Sequence, residues 1–337
     1  MNTRTRIAAV LALVLGAAGL AGPAVAQDRL TAVHAFPATW VYSKSFLEFV
    51  KKVNDAGKGV VSIQVRGGPE AIGMFEQPAA VRDGIVDMVY TPCAFYAGNV
   101  PECDAVSAST IDGPTARKNG ATAELNNAHI RRMSVHYLGW VDSGIRFHMW
   151  FKNPPKLDGQ GNLDIRGVKL RGNPIYNAFF TSFLGAQVIN LPSTELYTAL
   201  ERGTVDATGW TSIGLMDASW DKFLRYRLDP EFFSTDLGII VNVRKWNSLS
   251  EKSRDILTRV AIEHEISSVK ALQELRKKEF AELERRGMKG VSLSKAGGTR
   301  FVEEARKASW ARMKERMEKA GGRAEAEKIQ KLFAPGT

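Results

Sequence analysis

Apolar positions in this chain keep two rhythms that alternate along its length. Short runs of strand character, such as Val60-Val61-Ser62-Ile63-Gln64-Val65 and Val86-Asp87-Met88-Val89-Tyr90, are separated by stretches with helical spacing. Leu30 to Phe36 reads as a first strand, ended by Pro37. Phe46, Leu47, Phe49, Val50 and Val53 then recur at helical intervals up to Gly57. A helix near Pro78 to Val81 stops at Gly84, before the strand around Met88. The same order returns between Gly167 and Trp210. Val168-Lys169-Leu170 ends in Arg171 and is broken at once by Gly172 and Pro174. Phe179 to Leu184 reads as a helix, and Val188-Ile189 as a second strand. Ser193 caps a helix bearing Leu196, Tyr197 and Leu200, and Val205-Asp206-Ala207 begins a third strand. Each β-α-β-α-β series predicts parallel strands with helical crossovers. Such sheets bind ligands at the carboxyl ends of their strands, where Arg171 and Trp210 both fall.

The rest of the pattern is more helical. Ser107 to His136 is polar with helical character, and Arg146-Phe147-His148-Met149-Trp150 alternates like a strand. Ser212 to Asp221 is expected to be helical, and Leu237 to Asn242 reads as a strong strand. Ser248-Leu249-Ser250-Glu251 has the form of a capping box, after which no glycine or proline occurs before Gly287. A helix over 251–286 would extend ~50 Å, more than one small domain is wide. Phe301 to Lys319 is a further amphipathic helix. Leu332 and Phe333 are docking points in the charged tail.

The first residues change the picture. Arg4 and Arg6 precede an apolar core from Ile7 to Leu20, and Ala24-Val25-Ala26 is a small-residue cleavage site. Residues 1–26 therefore read as a secretory signal peptide, and the mature chain as soluble and exported. The formal net charge of +10 raises the question of nucleic acid. The excess lies in helices where bases alternate with glutamates, as in Arg276-Lys277-Lys278-Glu279, so a solvated face is the simpler reading. No nucleic-acid partner is expected. Cys93 and Cys103 form an even pair that suggests a disulfide in an oxidising compartment; two separate buried thiols are the alternative. The five histidines lack metal-ligand spacing, and neither a Gly-x-Ser-x-Gly nor a phosphate-cradling loop occurs. No cofactor and no metal are expected.

Taken in order, Leu170-Arg171, Leu184-Gly185-Ala186, Ala199-Leu200-Glu201-Arg202-Gly203 and Val205-Asp206 resemble the substrate-binding proteins of tripartite ATP-independent periplasmic (TRAP) transporters, the DctP-like family. The likeness extends upstream to Val33-His34 and Gly84-Ile85-Val86-Asp87-Met88, and downstream into the long helix. It implies a two-lobed periplasmic binding protein, with two mixed sheets flanked by helices and a long helix crossing both lobes. Domain I would comprise 27–143 and 232–250, domain II 144–231 and 287–337, with 251–286 spanning both. The function implied is capture of an organic-acid anion in the interdomain cleft and delivery to a membrane permease driven by an ion gradient, in the periplasm and without catalysis. A binding protein for an ATP-driven importer, an exported enzyme acting on organic acids and a sensor module remain as alternatives.

The resemblance places the principal carboxylate-binding residue at Arg171, whose planar guanidinium can hold a carboxylate with two hydrogen bonds. Arg146 is a second candidate, with a hinge salt bridge as its alternative. Trp210 occupies a position where some members carry a ligand-contacting asparagine. Members that bind 2-oxo acids with a metal carry Glu-Trp there; this chain has Gly209-Trp210, which argues against a metal. Asn173 and Phe179 lie beside Arg171. Glu70, Trp40, Tyr90, Phe95 and Tyr96 follow or end strands of the first lobe and would form the opposite wall. There Glu70 would favour a ligand with a hydroxyl, amine or amide. Strand alternation allows His148, two residues after Arg146, to share its face, though a residue outside the cleft is the simpler reading. C4-dicarboxylates, 2-oxo acids, sugar acids and aromatic acids all remain open, and the aromatic residues lean toward a monocarboxylate with a bulky body.

Overall fold

A computed structural model describes residues 27–320 and 322–336; the expected signal peptide lies outside the described residues. The chain opens with β1 (Asp28–His34), α1 (Val41–Ala56), β2 (Val61–Gly67), α2 (Gln77–Asp83) and β3 (Met88–Pro92). Helix α1 buries Phe46, Phe49, Val50 and Val53, the residues whose spacing predicted it. It ends at Gly57, where a Cβ would come within 2.5 Å of Val61. The segment 107–136 is less continuous than expected. It divides into α3 (Cys103–Ser107), α4 (Gly113–Lys118) and α5 (Ala121–Met133), because Asp112 caps α4 and Gly120, at φ +90°, restarts the chain as α5. β4 (Val135–Trp140) follows.

The chain then crosses to a second sheet with β5 (Phe147–Phe151) and a short hairpin, β6 (Lys156–Leu157) and β7 (Leu163–Asp164). β8 (Leu170–Gly172), α6 (Asn177–Ser182), β9 (Val188–Asn190), α7 (Leu196–Glu201) and β10 (Ala207–Thr211) realise the predicted order. Ser193 begins a short 3-10 turn rather than capping α7. Ser212 to Asp221 is mostly turns, with one 3-10 turn at Trp220–Lys222. β11 (Tyr226–Asp229) pairs with β5, and β12 (Leu237–Asn242) returns to the first sheet. After α8 (Val243–Ser248) come α9 (Glu251–Arg285), β13 (Lys289–Ser292), α10 (Lys295–Lys319) and α11 (Arg323–Phe333). The cap of α9 is Ser250, whose Oγ accepts from the Ser253 amide, rather than Ser248.

The two sheets have strand orders β2-β1-β3-β12-β4 and β13-β11-β5-β10-β8-β9. Each mixes parallel and antiparallel pairs: β1 runs parallel to β2 and β3, while β12 is antiparallel to both neighbours. In the second sheet, β8 lies parallel to β9 and β10, and β5 is antiparallel to β10 and β11. The result is an α/β molecule of two lobes.

Two buried glutamates fasten α9 to both lobes. Glu265 accepts from Arg117 Nη2 at 2.8 Å and the Trp140 amide at 2.9 Å on the first-lobe side. Glu279 accepts from the Gly214 amide at 2.8 Å, just past β10 of the second lobe. Fourteen residues of helix separate these anchors, about 21 Å along its axis. The C-terminal helices do not follow the expected assignment of 287–337 to the second lobe. Helix α10 packs against both α3 and α6, and α11 sits on α5 and α3 of the first. Ala326, Ile329 and Phe333 join the same apolar cluster as Leu125, Ala128 and Trp140, and burial of that face decides where the helix docks.

Candidate ligand-binding site

The strand ends of the two lobes meet around a small cavity. Its first-lobe wall carries Phe36, Tyr42, Pro92, Phe95, Asp236 and Leu237; Asn173, Ile175, Trp210 and Thr211 come from the second, with Phe147 and Thr235 beside the crossing. Its volume is about 20 Å³. That is little more than the ~10–15 Å³ a single water needs, so an organic acid enters only if the walls part. Aromatic rings hold them together. Trp40 of the first lobe meets Trp210 and Trp220 of the second edge-on, with centroids 5.8 and 5.5 Å apart, and Phe36 meets Trp210 at 5.8 Å. Beside these rings the Val41 amide donates to Asp217 across the gap at 2.7 Å. Larger hollows occur at Asp229 to Arg306 and at Ile165 to Ile189, but both are open grooves on the second lobe alone.

Arg171 is fully buried and is not among the residues lining the cavity. Gly172 and Pro174 stop its strand after three residues, which leaves the guanidinium at the sheet's carboxyl edge. Nε donates to the Leu191 carbonyl at 3.0 Å, and Nη1 to Tyr176 Oη at 2.7 Å. Both partners are neutral, and Nη2 is buried with no hydrogen-bond partner. Tyr176 is itself fixed, donating to the Gly209 carbonyl at 2.9 Å. Its ring fills the space above Gly209, where a Cβ would come within 2.8 Å. That packing is the physical reason residue 209 has no side chain. One more buried donor group on the cavity wall, Trp210 Nε1, also lacks a partner.

Of the residues singled out in the sequence, Trp210, Phe95 and Asn173 line the cavity, Arg171 is buried two residues before Asn173, and Trp40 meets Trp210 at the cavity wall. Phe179 is packed into the aromatic core of the second lobe, against Phe183, Phe232 and Phe301. The others are elsewhere. Arg146 turns away: its guanidinium donates to the carbonyls of Phe232 and Ser109 at 3.2 and 3.4 Å and pairs with Glu231 at 3.8 Å. Strand alternation explains this, since Phe147 takes the cavity side. Burial, partly offset by Glu231, draws the proton affinity of Arg146 down. Its carbonyl accepts from both the Ser212 amide and hydroxyl. His148 shares the Arg146 side and faces Asp229 and Glu231, not the cleft. Glu70 is exposed and accepts from the Gly68 amide at 2.7 Å, because the glycine turn folds it back on its own loop; that bond holds its carboxyl below the usual range. Tyr90 is a core residue, stacked on Phe46 and bonded to Asp142. Tyr96 packs inward on His129, its hydroxyl 3.0 Å from Nε2. Cys93 and Cys103 are joined as a disulfide, with Cα atoms 5.1 Å apart.

Asp236 was not foreseen. It is 1% exposed, lines the cavity, and accepts from the Ala94 amide at 2.7 Å. Burial, reinforced by the Asp104 carboxylate, pushes its pKa up to about 7. In sequence it is one acid in Ser234-Thr235-Asp236 before a strand, with no spacing signal to mark it.

Residues 32–316 match the model of the bacterial extracellular solute-binding protein family 7, DctP, and the chain belongs to that family. It is a bacterial extracellular solute-binding protein. A solute-binding protein of Albidiferax ferrireducens is 22% identical over 82% of this chain and 84% of its own length. Among solved structures, a TRAP periplasmic solute-binding protein from Desulfovibrio salexigens with bound orotic acid superposes with TM-score 0.78 at 17% identity, covering 91% of this chain and 99% of that one. A Bordetella pertussis extracytoplasmic solute receptor binding pyroglutamic acid gives 0.76 at 16% identity, over 91% and 99%. These likenesses agree with the two-lobed fold.

Proposed function

We propose that this chain is the extracytoplasmic subunit of a TRAP transporter: it captures an organic-acid anion between its lobes and hands the closed complex to a membrane permease, without chemical turnover. The observation that carries the reading is the buried guanidinium of Arg171, with two neutral partners and one unpaired nitrogen, two residues before Asn173 on the wall of a cavity that also bears the unpaired Trp210 Nε1. A buried cation without a counter-charge is costly, and an arriving carboxylate would offset that cost. Opening separates the Trp40–Trp210 contact, the carboxylate meets Arg171 Nη2, and closure excludes water around the new pair. Trp210, Asn173 and Phe95 then pack against the ligand's body. Family membership supports solute capture, and the periplasm is the compartment that goes with it. Among the described residues no helix is long and apolar enough to cross a membrane, so the permease would be a separate chain.

A thermal-shift screen of organic acids tests the reading, since a ligand at a hundred times its dissociation constant stabilises by about 2.7 kcal/mol. A carboxylate that raises Tm, and is recovered unchanged after incubation, is the expected result. Conversion of that acid to product would support an enzyme instead.

A further inference from the structure

Asp236 sits one residue before β12, on the first-lobe wall. Its carboxylate accepts from the Ala94 amide at 2.7 Å. The charge that bears on it is a second acid, Asp104, and the Ser107 hydroxyl lies nearby. Asp104 already has its cations: Arg312 Nη2 at 2.7 Å and Arg316 Nη1 at 3.4 Å. Among the described residues no cation pairs with Asp236, a buried acid of the cavity wall. The cavity therefore has polarity. Trp210 Nε1 on the wall, and Arg171 Nη2 two residues before the wall residue Asn173, are unpaired donor groups, while Asp236 presents an acid.

A second carboxylate on the ligand would bring like charges together in a water-poor space, whereas an N–H or O–H would pair with the acid. From this arrangement we infer that Asp236 is a selectivity residue. It accepts a hydrogen bond from an N–H or O–H on the ligand's body and rejects a second carboxylate, so the solute is a monocarboxylate bearing a donor group. This inference rests on the reading of Arg171 as the carboxylate partner.

Isothermal titration of the full mature chain tests it. The donor-bearing probes are pyroglutamate and D-erythronate. Their counterparts without the donor are 5-oxotetrahydrofuran-2-carboxylate and butyrate, and succinate and 2-oxoglutarate serve as dicarboxylates. The expected result is that a donor-bearing probe binds at least tenfold more tightly than its counterpart and than either dicarboxylate. In Asp236→Asn, which keeps an acceptor for the Ala94 amide, the preference over dicarboxylates narrows at least tenfold. Dicarboxylates that bind wild type as tightly as the donor-bearing probes overturn the assignment of Asp236 without any variant. An unchanged preference in Asp236→Asn overturns it too. If Arg171→Met abolishes binding while Asp236→Asn changes nothing, only the Asp236 assignment fails. If no acid binds wild type, both readings fall together.

Discussion

Arg171 is the residue whose environment most needs an explanation. A guanidinium fully removed from water usually has an acid beside it, and here its two partners are a carbonyl and a phenol. Tyr176 holds it in place, and Gly209 makes room for Tyr176. Gly209→Ala therefore displaces the ring and, through it, the guanidinium. We expect Gly209→Ala to weaken acid binding about tenfold, with the helical circular dichroism unchanged; calorimetry reads the first and spectroscopy the second. Asp236 gives the residue scale a pH signature. Its folded pKa of about 7 exceeds the value of 3.8 for an ordinary aspartate. The folded state thus keeps a proton that the unfolded state has released between those values, so this residue's contribution to ligand-free stability is lost as pH rises from about 4 to 7 and is flat above. Asp104, Tyr42, Tyr96 and Tyr137 face the same group and stay in both proteins being compared. Asp236→Asn should be more stable than wild type at pH 8 by on the order of 2–4 kcal/mol, and nearly equal to it at pH 4, by urea denaturation. A gap independent of pH would refute this.

At the scale of elements, α9 and the disulfide set what the cleft can do. Glu279 takes the amides of Gly214 and Met216, the loop that follows the Trp210 strand. Glu279→Ala leaves these donors unpaired and should cost about 1–3 kcal/mol in urea denaturation. The Cys93–Cys103 bridge closes the loop carrying Ala94 and Phe95 on the first-lobe wall. Replacing both cysteines by serine should cost about 2–4 kcal/mol. It should also weaken binding, because Ala94 anchors Asp236. Most strands and the long helix were legible in the sequence, since their apolar runs are long and their stops are glycine or proline. Arg171 was singled out by the family resemblance; the strand that breaks after it indicated only its place at the sheet edge. Tyr90 was misplaced because all five residues of β3 are buried, so strand alternation did not distinguish core from cleft. Glu70 was misplaced because a turn after a glycine pair reverses a side chain without changing the pattern. Tyr42, Thr235 and Asp236 escaped notice because the cavity gathers them from distant loops and strand starts, and no local rhythm records that.

The whole molecule is two lobes held by crossings at Arg146 and Ser234, by α9, and by α10, whose Arg312 bonds both Asp104 and the Pro174 carbonyl. The cavity is too small for an acid, so capture needs opening at the tryptophan contact. Trp40, Trp210 and Trp220 meet there, and their emission should change when an acid is added. Trp40→Phe should remove most of that change; a signal that persists in full would place the moving interface elsewhere.

The central claim is that Arg171 holds the ligand's carboxylate between the lobes. Titration of Arg171→Met with the tightest acid found for wild type tests it most directly, with circular dichroism confirming the fold. Loss of a buried ion-pair partner should weaken binding by about 2–5 kcal/mol, thirtyfold or more. Binding by a folded Arg171→Met protein at wild-type affinity would contradict the account.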